Sequence, residues 1–212
     1  MQLQLVADSK QWVYVMSKIE LIKWFSEVGK EDTATVGGKG ASLGEMHRNL
    51  SSTGIRIPNG FNVTTEAFSI FVNCKVPELT WENVAEPEGT EEIRKSALRC
   101  NTLSSALVAV LADADADDHL DLHARAQLAR AIVRQTPVPE IIRQAIIESY
   151  STLCDEYGQG TDVAVRSSAT TEDSVDASFA GQYESYLNVS GERAVIRQWK
   201  QCVASLFTER AI

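Results

Sequence analysis

The run Val36-Gly37-Gly38-Lys39-Gly40 places a cation among glycines at the start of a segment with helical spacing. Glycine lets a backbone approach a ligand closely, and a helix N-terminus offers N–H groups that have no acceptor inside the helix. A lysine there adds a full positive charge. These are the features that hold a nucleotide phosphate. The run is not a Walker loop, because Gly40 stands where Ser or Thr should follow the lysine and Thr33 stands where the earlier glycine should be. It is not a dinucleotide fingerprint either, since Leu43 occupies the third glycine position. The same residues also fit a flexible turn with a solvated lysine.

A second cation opens another loop. Val163 and Val165 alternate with Arg166 on the far side of a short strand, so valines facing a core leave Arg166 facing a cleft or solvent. Ser167-Ser168-Ala169-Thr170-Thr171 follows, and Gly181 closes the loop before the next strand. Amides and hydroxyls in such a loop can wrap phosphate oxygens, and a guanidinium can grip them with two parallel bonds. A polar hairpin with a surface arginine fits the spacing as well.

Other constellations carry less. His119 and His123 lie four apart on a helix, but no third ligand is fixed, so two solvated histidines beside Asp117, Asp118 and Asp121 are expected. Asp113, Asp115 and Asp117 imitate a calcium loop that fails at Asp118, where glycine is required, and at Ala124, where glutamate is required. His47 shares an apolar stripe with Leu43 and Met46 and reads as a packed histidine. Glu172, Asp173 and Asp176 read as solvated loop carboxylates.

The elements that must position the two loops follow from periodicity. Residues 1–18 form an N-terminal extension without a clear period, and 19–25 is a strand or short helix. Residues 29–38 form a loop, and a helix runs from Lys39 to Leu50 with Leu43, Met46, His47 and Leu50 on one stripe. A turn with Pro58 and Gly60 leads to a strand over 61–64, and Thr65 caps a helix reaching about Cys74. After a loop over 77–89, a helical middle occupies about 90–157. Ile93, Ala97, Cys100, Leu107 and Leu111 stripe one helix there, and Ala124, Leu128, Ala131 and Ile132 stripe a second. Ile142, Ile146, Tyr150 and Leu153 stripe a third that starts at Pro139 and ends at Gly158 and Gly160. Strands over 162–166 and 182–189 flank the arginine loop. A last helix from Gly191 carries Ile196, Trp199, Val203 and Leu206 on one side, a face expected to be exposed and adhesive. The fold class is α+β: a helical middle with a small sheet carrying the phosphate loop.

Composition excludes several functions. With a net charge of −9, global attraction to nucleic acid or an anionic membrane is not expected, so an anion needs a local positive pocket. No apolar run approaches the roughly 20 residues of a membrane span, and no secretory signal is recognisable. Cys74, Cys100, Cys154 and Cys202 are widely spaced, which fits neither a zinc site nor a disulfide framework and suits a reduced, cytoplasmic setting. No metal ligands are assigned.

Four blocks, taken in order, resemble the phosphoenolpyruvate synthase (pyruvate, water dikinase) family. They are 25–32 with 36–46, 57–61 with Thr64-Thr65, 165–170 with 177–182 and 186–189, and 204–212. The resemblance covers roughly residues 20–212 and is weak in the helical middle. Pyruvate phosphate dikinases and rifampicin phosphotransferases share this ATP-grasp-like domain. The Glu31-Asp32 pair favours the synthase. Family members usually carry a proline after the Glu-Asp of the third block, whereas Glu172-Asp173 is followed here by Ser174-Val175. Tyr183 replaces a common glutamine.

The resemblance implies the N-terminal part of an ATP-grasp-like domain, over 19–212. It implies that ATP phosphorylates a histidine on a separate domain, and that a pyruvate-binding domain receives the phosphoryl group to give phosphoenolpyruvate, AMP and phosphate. By carry-over Lys39 and Arg166 grip ATP phosphates, with Arg166 in the catalytic role. Gly37, Gly38, the backbone of Ser167, Ser168, Ala169 and Thr170, and Gly181 shape the phosphate-facing surface. Magnesium ligands, the phosphohistidine domain and the pyruvate domain are expected beyond residue 212, so this chain alone should not turn over. The open alternatives are a related phosphotransferase with another acceptor and a truncated, non-catalytic nucleotide binder.

Overall fold

The computed structural model describes residues 20–51, 53–78, 80–115, 117–170, 184–209 and 212. The expected extension at 1–18 lies outside the described residues.

The first part of the chain builds a small layer around two strands. Strand β1 (Ile22–Trp24) pairs antiparallel with β2 (Phe61–Val63), Lys23 opposite Asn62. Between them a helical turn at Lys30–Asp32 leads into α1 (Thr33–Ser51). Helix α1 therefore starts before the expected Lys39, and Gly37 interrupts it with φ 76° and ψ 167°. The 29–38 stretch expected as loop is thus largely helical, and only Gly37 breaks it.

The buried face of α1 also differs from the expected stripe. Val36, Gly37, Gly38, Gly40, Ala41 and Gly44 are buried, while Met46 is exposed. Small residues face inward because the chain passes very close on that side. A Cβ on Gly44 would lie 2.6 Å from the Val28 carbonyl oxygen, and Val28, Val36 and Ala41 form a small core of their own. Helix α2 (Thr65–Asn73) follows, capped one residue earlier than expected: the Thr64 hydroxyl accepts the Ala67 N–H at 3.3 Å.

Four helices fill the middle: α3 (Glu91–Leu98), α4 (Leu103–Leu111), α5 (His119–Gln135) and α6 (Glu140–Tyr157). The single stripe expected over 93–111 is two helices. The first ends at Leu98 with Arg99 as its C-cap, and Thr102 caps the second, its hydroxyl accepting the Ser105 N–H at 3.1 Å. That local bond outcompetes continuation of the helix. On α6 all four expected positions, Ile142, Ile146, Tyr150 and Leu153, are buried. Gly158 ends it at φ 111°. On α5 the buried residues are Ala126, Leu128, Ala129, Ile132 and Val133.

The final elements join this core to the arginine loop. Strand β3 (Val163–Arg166) pairs antiparallel with β4 (Ser185–Val189), Arg166 opposite Ser185. Helix α7 (Glu192–Ala204) packs on α5, α6 and both of these strands. Its expected adhesive face is covered: Val203 is buried and Trp199 meets Phe71 edge-on at 5.3 Å between ring centroids. The main core runs from Phe71 and Trp81 through Leu103, Leu128 and Ile132 to Ile142 and Ile146. Trp81 lies in a stretch expected as loop, and its indole N–H donates to the Thr136 hydroxyl at 3.0 Å.

Replacing Gly44 by Ala should raise helix propensity by about 1 kcal/mol yet lower stability overall. The added carbon meets backbone at Val28, which cannot swing aside, and overpacking of this kind costs about 1–3 kcal/mol. A lower urea midpoint is the expected outcome; a raised one would show that Val28 yields.

Candidate functional site: two docked loops

The two cation-bearing segments, far apart in sequence, lie against each other. The Gly38 N–H donates to the Ala169 carbonyl at 3.3 Å, and the Gly40 N–H donates to the Ser168 hydroxyl oxygen at 3.0 Å. Gly37 makes the approach possible. Its φ of 76° is one that side chains rarely adopt, and a Cβ there would lie 2.4 Å from Ser168 Oγ and 2.5 Å from the Ser168 carbonyl oxygen.

Each predicted residue can now be placed. Gly37 and Gly38 are buried, and Lys39 is half-buried beside them. Arg166 ends β3 with its side chain exposed, while Val163 and Val165 on the opposite face are part of the core's surround. Ser167 is buried, and both its N–H and its hydroxyl reach the Glu184 carbonyl at 3.4 Å. Ser168 and Ala169 are half-buried between the loops, and Thr170 is exposed. Gly181, Glu172, Asp173 and Asp176 lie outside the described residues.

The Gly38 and Gly40 amides therefore serve the contact between loops. Sequence reasoning assigned the glycine loop and the serine loop separately to phosphate and missed that they bind one another. A bond spanning 128 positions leaves no local pattern.

Charged groups brace the glycine loop from below. The Asp32 carboxylate accepts the Gly29 N–H at 3.0 Å and the Lys23 ammonium at 3.1 Å, with both charged side chains mostly shielded. The Gly29 bond first, and the Lys23 bond second, hold the Asp32 carboxyl below the usual carboxylate range. Asn62 adds a bond from its side-chain amide to the Lys23 carbonyl at 3.3 Å, tying β2 to the same point. Sequence inspection flagged Glu31-Asp32 only as a family mark.

The remaining titratable residues lie elsewhere. His47 packs beside Phe25, 6.4 Å between ring centroids, as a packed histidine would. His119 is exposed, and His123 contacts the Glu209 carboxylate and the Gln127 amide, so it is more than a solvated side chain. Among the described residues no group of three or more His, Cys, Asp or Glu side chains is placed to hold a metal ion. All four cysteines are free thiols, and burial pushes the Cys202 thiol up to about 12. Among the described residues no helix is long and apolar enough to cross a membrane.

Residues 33–212, which contain both docked loops, match a family model, and the chain belongs to the family described as pyruvate phosphate dikinase, AMP/ATP-binding domain. Within that class the similar proteins are phosphoenolpyruvate synthases. The chain is 41% identical over 197 residues to that of Synechocystis sp., covering 91% of this chain and 21% of the relative. It is 42% identical over 193 residues to that of Aquifex aeolicus, covering 91% and 20%. The Escherichia coli synthase is 36% identical over 192 residues, covering 91% and 21%. The chain thus spans about a fifth of the length of these curated relatives.

Asp32 makes the brace pH-dependent. Its folded carboxyl titrates below its unfolded value near 4, so its contribution is present above that value. The contribution is lost as pH falls through the lower, folded value. Asp32→Asn should flatten the acid side of the stability curve, as followed by urea titrations between neutral pH and pH ~3. An unchanged acid slope would remove Asp32 from the brace.

Proposed function

We propose that this chain is the ATP-binding portion of a phosphoenolpyruvate synthase, a pyruvate, water dikinase, with an ATP-grasp-like nucleotide site formed at the docked loops. The observation that carries the reading is the docking itself. The Lys39 and Arg166 segments converge through the Gly38–Ala169 and Gly40–Ser168 hydrogen bonds. In a chain of net charge −9, an anion needs such a local pair of cations.

In this reading Lys39 and Arg166 hold ATP phosphates, Arg166 also stabilising charge as the phosphoryl group leaves. Ser167, Ser168, Ala169 and Thr170 shape the surface beside it, with Gly181 at the loop's far end. Phosphoryl transfer depends chiefly on positioning and charge stabilisation, which two cations carried by docked segments would supply. Magnesium would accompany the nucleotide, on ligands outside this chain. The phosphoryl group would pass to a histidine on a further domain and then to pyruvate, with release of AMP and phosphate. A cytoplasmic setting belongs to the same proposal.

The family match by itself also fits a pyruvate phosphate dikinase or a related phosphotransferase such as one modifying rifampicin. The acceptor site distinguishes them, and it lies outside the residues that carry the docked loops. A truncated nucleotide-binding module without turnover would share the same loops.

Calorimetric titration of the purified chain with Mg-ATP tests the reading. Lys39→Ala and Arg166→Ala should each weaken binding by about 1.5–3 kcal/mol, the range for a charge-assisted hydrogen bond. Phosphoenolpyruvate formation by the chain alone is expected to be absent. Wild-type binding that neither substitution weakens would place the nucleotide elsewhere.

A further inference from the structure

We propose that Ser168 is a positioning residue: its hydroxyl latches the glycine loop to the arginine loop and so sets the spacing of Lys39 and Arg166. The proposal rests on the nucleotide reading above for its consequence in binding, but not for the latch itself.

Gly37 breaks α1 at φ 76° and ψ 167°. A helix that restarts has N–H groups in its first turn with no acceptor inside the helix. Gly38 is in that turn, and the acceptor it finds is the Ala169 carbonyl. Gly40, two residues on, donates to the Ser168 hydroxyl. Residues 128 positions away therefore do the work that a capping side chain normally does locally. Two bonds, two residues apart on α1, join it to consecutive residues of the serine loop.

The contact leaves no slack. Ser168 Oγ, its carbonyl oxygen and its carbonyl carbon would lie 2.4, 2.5 and 2.6 Å from a Cβ on Gly37. Two of those atoms are backbone, so the loops meet along main chain and a rotamer change could not reopen the gap. Ser167, immediately before, is anchored to β4 through the Glu184 carbonyl, so the serine loop is held from behind. Lys39 lies between the two latched amides, and Arg166 is two residues before Ser168. Any shift at the latch therefore moves one cation relative to the other. The Ser168 hydroxyl oxygen accepts the Gly40 N–H, so the latch uses its lone pair and not its proton.

Two readouts on the full chain test this. In nucleotide-free protein, Ser168→Ala should speed amide hydrogen exchange at Gly40 by about three- to tenfold, the effect of losing one ordinary hydrogen bond, while core amides such as Leu128 keep their wild-type rates. Unchanged exchange at Gly40 would overturn the latch, as would equal acceleration at Leu128, which marks general loosening. In the second readout, Ser168→Ala should weaken Mg-ATP binding about tenfold in wild type but little in the Lys39→Ala, Arg166→Ala double variant. Equal weakening in both backgrounds would make Ser168 an independent ligand and overturn the positioning role. If wild type binds no Mg-ATP, the nucleotide reading fails, and the exchange measurement still decides the latch.

Discussion

The close approach of Gly37 to the Ser168 backbone is the constraint on which the rest of the site depends. Two segments that each carry one cation can act on a single anion only if their main chains nearly touch. Main chains touch only where no side chain intervenes. Gly37 meets that need with a left-handed conformation, and the helix break it creates releases the amide that Ala169 then accepts. One residue type thus supplies the room, the break and the donor.

The surrounding architecture makes that contact rigid. Asp32 and Lys23 fix the start of α1 against β1 and β2, and Gly44 seats α1 directly on Val28. On the other side, α7 packs across β3 and β4 and leans on α5 and α6, so the strand ending in Arg166 is backed by the main core. The first strands and α2 share the main core through Leu21, Ala67 and Phe71, and the two loops are tied directly by one pair of hydrogen bonds. Further support comes from Asn59, whose N–H donates to the Tyr157 hydroxyl at 2.7 Å and whose side-chain amide donates to Glu156 at 3.0 Å. This second tie joins the turn before β2 to the end of α6.

Charge explains why the site must be so localised. The acidic chain repels anions on average, and isolated surface cations are screened within about 10 Å in salt. In the proposed site, lysine and arginine carried by docked segments would give a positive field only where an anion binds.

Much of this was written in the sequence, for local reasons. The stripe on α6, the glycine that stops it and the alternation that turns Arg166 outward all depend on neighbours within four residues, whereas the cap of α2 fell on Thr64 and not on the expected Thr65. The glycine-lysine and arginine-serine loops stand out as candidate phosphate loops, and four blocks in order along the chain carry the family resemblance. The sequence misled where tertiary contact overrode local pattern. The stripe of α1 was read from its large residues, but a close backbone made its glycines the buried face. The stripe over 93–111 hid the cap at Thr102, and the face around Trp199 looked bare until Phe71 covered it. The use of Ser168 was decided by the tertiary structure alone. A hydrogen bond between residues 40 and 168 has no period and no local energy, and arises only once the folded chain brings those main chains together.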